Sequence, residues 1–190
     1  MKSPVRAGRA WAIAVLVAWL AHAIDIGVQA PLANLLWSCN VAVLYVAAGL
    51  AWHRPRVLAV GVLMLLVGEP FWIIGILLGD FLPTSPLTHV FVPAVGLLGL
   101  RKTGAPRGLV LPMLITIGAL TLAARFVSPA KENVNLAHSI PRGAVPASWT
   151  WLSHGGYMFG VFVLLVLGGF AGELCLARLF RPRPAKPAEA

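Results

Sequence analysis

Charge is scarce in this chain: only 11% of its 190 residues are Asp, Glu, Lys or Arg, whereas 59% are hydrophobic. A soluble domain of this length does not need such a balance, and a polytopic membrane protein does. Cysteine is scarcer still. Cys39 and Cys175 form no Cys-x-x-Cys pair, which argues against a quinone-coupled thiol oxidoreductase, and they are expected on opposite membrane faces, too far apart for a disulfide. The histidines lack the tight His-x-x-x-His or His-Glu-x-x-His spacing of a zinc site, so neither metal nor cofactor is expected. Internal repeats are lacking too, and with them the inverted-repeat signature of many secondary transporters. No aromatic-interleaved basic patch accompanies the formal charge of +9, so nucleic acid is not an expected partner; membrane lipids are.

What is present is a series of apolar runs of membrane-spanning length. Six spans are expected, near residues 11–28, 32–52, 57–79, 87–100, 108–127 and 149–177. The fold class is therefore all-α, a polytopic membrane protein with six transmembrane helices in a single bundle. It forms one domain over 1–180, followed by a proline-rich tail over 181–190 that reads as disordered cytoplasmic chain. The fourth run, with 14 residues, would make only about 21 Å of helix and has to borrow from the segment before it. The first 28 residues imitate a signal peptide, but Ala21-His22-Ala23 lies inside the apolar run rather than after it, so a retained helix is expected.

An even number of spans puts both termini on one face. That face would hold Lys2, Arg6, Arg9, Arg54, Arg56, Arg101, Lys102, Arg107, Arg178, Arg181, Arg183 and Lys186, which is 12 of the 15 basic residues. Basic loops stay cytoplasmic, so both termini are expected there and the positive charge is mainly a topology signal. Abundant Ala, Gly, Leu and Arg with few Lys point to a bacterial inner membrane.

Polar side chains inside apolar spans are expensive, which makes them functional candidates. His22, Asp25, Asn34, Cys39, Asn40, Glu69, Asp80, His89 and Arg125 all fall in or beside these runs, mostly towards the outer side. Cys39, seven residues into the second run, would sit about 10 Å below the outer surface, at a depth similar to that of Asp25 and His89. His22, Asp25 and Gln29 follow an i, i+3, i+7 spacing and form a polar stripe. Glu69, near the midplane, is a candidate proton or cation site. The long outer segment 128–148 carries Glu132, Asn133, Asn135 and His138 and could fold back as a lid. The bland alternative is that His22, Asp25 and Arg125 bond to one another as interhelical glue, that Asn34, Ser38 and Asn40 serve packing, and that Cys39 is a small hydrophobe.

A cysteine close to a histidine can be a nucleophile, because the imidazole takes the thiol proton and the thiolate attacks acyl carbonyls. In this reading Cys39 is the nucleophile, His89 the base, and Asn133 or Asn135 the group that orients the base or binds an oxyanion. Asp25, Glu69, Asp80, Arg125 and His138 would line the substrate cavity. The segment Leu35-Leu36-Trp37-Ser38-Cys39-Asn40-Val41-Ala42, with His89 about fifty residues later and an Asn-containing outer loop before the last helix, resembles the YwaF-like integral membrane family, to which a vertebrate transmembrane cysteine acyltransferase is similar. The resemblance implies acyl transfer on phospholipids by Cys39 and His89. The chain departs from the family pattern at Asn133-Val134-Asn135, where relatives tend toward an Asn-Tyr pair, and at Thr84-Ser85-Pro86 before the histidine. Two other classes compete: a transporter or small-ligand binder using Glu69, Asp80, Asp25 and Arg125, and an assembly partner of a larger membrane complex.

Overall fold

The computed structural model describes residues 4–77, 79, 82–140, 149 and 152–181. Among these residues the chain is all-helical, without a strand. Six α-helices succeed one another: α1 (Pro4–Gln29), α2 (Ser38–Ala51), α3 (Pro55–Leu77), α4 (Val92–Thr103), α5 (Val110–Val127) and α6 (His154–Leu179). Four of them, α1, α3, α5 and α6, are long and apolar enough to cross a membrane. α2 and α4 are shorter, at 14 and 12 residues, which is about 21 Å and 18 Å of helix. α4 is extended at its start by a π-helical turn, Leu87–Phe91.

The second apolar run departs from expectation. Residues Leu32–Leu36 form a 3-10 turn, and Trp37, with φ −53° and ψ 134°, leaves the helical region before α2 starts at Ser38. Cys39 is thus the second residue of a helix and not two turns inside one. Asp80, Arg142, Trp151 and the tail from residue 182 lie outside the described residues.

α3 is the axis of the bundle. Half of its most apolar window is buried, against 17% for α5 and for α6, and Leu58, Ala59, Val60, Val62, Leu63, Met64 and Leu65 are buried in sequence around its whole circumference. A helix apolar on every side belongs at a centre. Apolar side chains gain little by leaving lipid for protein, so what holds such helices together is close packing. α2 and α3 approach closely where a Cβ on Gly61 would stand 2.7 Å from the Tyr45 Cβ and 2.8 Å from the Ala42 carbonyl oxygen. Val43, Val46 and Leu50 from α2 complete that contact.

The end at which α1 begins and α6 finishes is closed by backbone capping. Glu173 of α6 accepts from the N–H groups of Gly108 at 2.7 Å and Leu109 at 2.7 Å, satisfying the start of α5. Unpaired N–H groups at a helix start favour such a carboxylate. The opposite, distal end carries the irregular backbone: the 3-10 turns Leu32–Leu36, Ala130–Glu132 and Val134–Leu136, and the π-helical turn.

The packing of Gly61 yields a direct test. Gly61→Val should lower stability by about 1–3 kcal/mol, the usual cost of overpacking a tight contact, seen as a lower thermal midpoint in detergent. Gly68, about two turns farther along the same helix, would place a Cβ with no atom within 4 Å, so Gly68→Ala should leave the midpoint unchanged or raise it.

Candidate functional site

The distal half of the bundle brings residues from four elements to one imidazole. His89 sits inside the π-helical turn, buried at 9% exposure. The local sequence explains the turn. Pro93 has no N–H to offer the His89 carbonyl and its ring crowds that carbonyl, so the ladder slips by one residue and Val92 N–H bonds to the Leu87 carbonyl instead. Such single-turn π segments occur often at functional sites.

The ring is fixed on two sides by α3. Its Nδ1 lies 3.3 Å from Glu69 Oε1, and its plane stacks on the Trp72 indole at 4.6 Å between centroids and 2° between planes. Glu69 and Trp72 are three residues apart, so they share a helix face. With Nδ1 directed at a carboxylate, Nε2 is the nitrogen left for another partner. Cys39 lies near enough to the same ring for the two groups to interact electrostatically. Cys39 is half-buried and free of any disulfide, and Cys175 is exposed on α6. The first turn of a helix carries unpaired N–H groups and partial positive charge, a setting that favours negative charge on a side chain there. Glutamate thus orients the histidine, with the cysteine beside it, an arrangement able to act as a nucleophile next to a base that a third group holds.

A second polar cluster adjoins the first. His22 Nδ1 is 2.8 Å from Thr84 Oγ1, Thr84 Oγ1 donates to Asp25 Oδ2 at 2.6 Å, and the Gln29 amide donates to Asp25 Oδ1. His22 and His89 are close enough for their charges to interact. The stripe His22, Asp25 and Gln29 thus joins α1 to the turn before α4 through Thr84, and its partner is not Arg125.

The asparagines do different work from that expected of them. Asn135 accepts from Ser38 N–H at 2.9 Å and donates to the Leu36 carbonyl at 2.7 Å, clamping the segment after α5 onto the break before α2. Asn133, in the left-handed region at φ 45°, accepts from His138 N–H and Ser139 N–H, each at 2.9 Å, and donates to the Ser139 carbonyl. Both side chains are engaged with backbone, and the orienting position at His89 is held by Glu69. Asn34 donates to Glu132 Oε2 at 3.0 Å and Asn40 donates to the Asn34 carbonyl at 3.1 Å, tying the same segment down further.

Arg125 and His138 belong to a third cluster. Arg125 donates to the Ala137 carbonyl at 3.3 Å and to His138 Nδ1 at 3.1 Å, while His138 Nε2 lies 3.2 Å from Ser128 Oγ. A guanidinium only donates, so Nδ1 is the acceptor in that contact. Arg125 and His154 stand at one end of an open groove of about 370 Å³ between α5 and α6, lined otherwise mainly by apolar side chains. The five residues expected to line one substrate cavity thus separate: Asp25 joins His22, Glu69 joins His89, Arg125 and His138 pair beside α5, and Asp80 lies outside the described residues.

Sequence reasoning missed Trp72 and Thr84. The signal for Trp72 was the Glu69-x-x-Trp72 spacing on α3, and for Thr84 the polar Thr84-Ser85 ahead of Pro86. Among the described residues, no three of His, Cys, Asp and Glu converge as a metal-ligating group. No protein-family model, curated protein or solved structure matches the chain.

A hydrogen bond to a charged partner contributes about 1.5–3 kcal/mol, and thiolate is the form that alkylates. Glu69→Gln should therefore slow iodoacetamide labelling of Cys39 by roughly tenfold or more, with Cys175 labelling in the same sample unchanged. Asn135→Ala, which removes both clamps on the break before α2, should lower stability by about 1–3 kcal/mol and open the segment 129–140 to limited proteolysis.

Proposed function

We propose that the chain is an integral membrane enzyme that transfers or hydrolyses lipid acyl groups through Cys39, with His89 as base and Glu69 as the group that orients it. The single observation that carries this reading is the His89–Glu69 contact beside Cys39, which stands in the first turn of α2. In the proposed reaction His89 takes the thiol proton, the sulfur attacks an ester carbonyl, and the carbon–oxygen bond breaks. The leaving alkoxide receives the proton from His89 and departs as an alcohol, leaving an acyl thioester on Cys39. An acceptor hydroxyl, or water, then attacks the thioester and releases the thiolate. In the first turn of α2 the Ser38, Asn40 and Val41 N–H groups are bonded to Asn135 and the Trp37 carbonyl, so the Cys39 N–H would be the group that meets negative charge on the tetrahedral oxygen.

Further support comes from unsatisfied polar atoms. Asn40 Oδ1, Thr88 Oγ1 and Trp72 Nε1 are buried with no hydrogen-bond partner among the described residues, and each belongs to a residue next to Cys39, next to His89 or stacked upon it. Leaving such groups unpaired costs about 1–3 kcal/mol each, so a polar ligand at this place is matched by groups able to bind it. A lipid source fits the depth, in the distal half of a bundle whose helices are apolar enough to span a membrane. Six spans, cytoplasmic termini and a bacterial inner membrane complete the proposal, on the clustering of basic residues at the opposite end.

The transport reading is less well supported, because the polar constellation does not continue through the bundle. Below Glu69 the interior is filled by Val43, Val46, Leu58, Val62, Leu63 and Leu65, with no ionisable group among them to pass an ion along.

The test is acyl turnover by the purified protein in vesicles of phosphatidylethanolamine and phosphatidylglycerol, with peptide mass spectrometry of Cys39. Wild type should carry a hydroxylamine-cleavable acyl group on Cys39, and Cys39→Ala and His89→Ala should lose turnover by about a millionfold, the scale of removing a nucleophile or its base. Unchanged turnover in Cys39→Ala would overturn the thiol mechanism.

A further inference from the structure

None of the residues lining the groove between α5 and α6 is used by the thiol chemistry, and the shape of that groove follows from where the two helices touch. In the proximal half a Cβ on Gly169 of α6 would stand 2.8 Å from Met113 Cε and 3.4 Å from Val110 Cγ1 of α5, so the helices meet there. Farther along, Gly118 of α5 lines the groove, and a Cβ on it would meet no atom within 4 Å. The helices have parted. The cleft between them holds about 370 Å³, inside the usual range of ligand clefts, roughly 300–1,000 Å³. Its lining runs from Leu114 to Arg125 on α5 and from His154 to Leu165 on α6, a stretch of about 16 Å on each helix at 1.5 Å per residue. That is about half of a hydrocarbon core of roughly 30 Å, the depth that the acyl chains of one leaflet occupy.

The distal end of the groove carries the charge. Arg125 donates through Nη1 to the Ala137 carbonyl and to His138 Nδ1. A guanidinium has five N–H donors, and those on Nε and Nη2 meet no acceptor among the described residues. No carboxylate neutralises it either: among the described residues the ion pairs are His89–Glu69 and Lys131–Glu132. His154 Nε2–H donates to the Leu136 carbonyl at 3.0 Å, which holds its ring at the same mouth, and α6 begins there with the positive end of its dipole. A helix face that merely meets acyl chains needs neither a cleft nor a cation. A guanidinium with a fork of free donors matches an oxyanion bidentately, and an apolar cleft one leaflet deep beneath it marks that oxyanion as part of a lipid. We propose that the groove binds a phospholipid of the distal leaflet, its phosphodiester on Nε and Nη2 of Arg125 and one acyl chain between α5 and α6 as far as Leu114 and Leu165. Such a lipid would fasten together two helices that the protein itself buries only to 17% over their most apolar windows. The inference rests on the membrane placement of these helices and not on the acyl-transfer reading.

The experiment is native mass spectrometry of the full chain, purified in dodecyl maltoside and titrated with phosphatidylglycerol. Wild type should retain a single phosphatidylglycerol per chain, and diacylglycerol with the same acyl chains, which lacks the phosphate, should not be retained. Arg125→Gln should weaken retention roughly tenfold or more, the scale of lost charge-assisted hydrogen bonds. Arg125→Lys, which keeps the charge without the fork, should fall between the two. Arg125 also holds the segment after α5, so a second pair of variants separates binding from folding. Gly118→Leu fills the groove and should abolish retention. Gly160→Leu, where a Cβ likewise meets no atom within 4 Å but which lies outside the groove lining, should retain the lipid as wild type does. Wild-type retention by Gly118→Leu, equal loss in Gly160→Leu, or equal retention of diacylglycerol would overturn the proposal. So would a dimer that Gly118→Leu dissociates with no lipid retained, which would assign the groove to a second copy of the chain. Cys39→Ala should bind phosphatidylglycerol as wild type does, so that loss of acyl turnover and loss of lipid retention are read separately.

Discussion

The close approach of α2 to α3 sets everything at the distal end. With Gly61 against Ala42 and Tyr45, the register between the two helices is fixed. Cys39 then lies one turn beyond that contact along α2, and Glu69 about 12 Å beyond it along α3 at 1.5 Å per residue. His89 lies in the interval, bonded to Glu69 and beside Cys39. A larger residue at Gly61 would push the helices apart and separate thiol from carboxylate before any polar group was altered. The geometry of the site is thus a property of apolar packing, as is usual where the lipid solvent gives helices no hydrophobic reason to associate.

A second constraint is the satisfaction of backbone polar groups, which lipid cannot supply. Irregular backbone is tolerable only where protein groups answer it. The break at Trp37 is answered by both ends of the Asn135 amide. Pro70 withholds an N–H within α3 and Pro93 another at the start of α4, and the second of these is answered by the shift to π-helical bonding. The breaks gather in the same half of the bundle as the polar side chains. The 3-10 turns of the segment after α5 are pinned by Asn133 and Asn34 in the same manner. Most of the asparagines that looked like chemistry in the sequence serve to satisfy this backbone.

That division explains what was legible beforehand. Hydropathy identified six helices and their order, because a run of apolar residues needs a helix to satisfy its backbone in lipid. The expectation that Cys39 and His89 lie near one another came from counting residues along those helices. Counting failed where hydropathy cannot distinguish a 3-10 turn from an α-helix: Leu32–Leu36 is as apolar as α2 itself, so the position of Cys39 at a helix start went unseen. The partners of individual polar groups were not legible either. Asp25 meets Thr84, 59 residues away, and Asn135 meets Ser38, 97 residues away; such pairings depend on tertiary register and leave no spacing pattern. Glu69 and Trp72 are the exception, since their i, i+3 relation marks a shared face before the fold is known.

The two histidines differ in what holds them. His89 contacts the Glu69 carboxylate directly and stacks on Trp72, so α3 fixes both its edge and its face. His22 reaches Asp25 only through the Thr84 hydroxyl, and because Asp25 stands about one turn farther along the same helix, that bridge ties α1 to the turn before α4. One imidazole is held by a helix other than its own, and the other anchors its own helix to a neighbour; the polar groups of the distal end divide between the candidate site and the ties that position it.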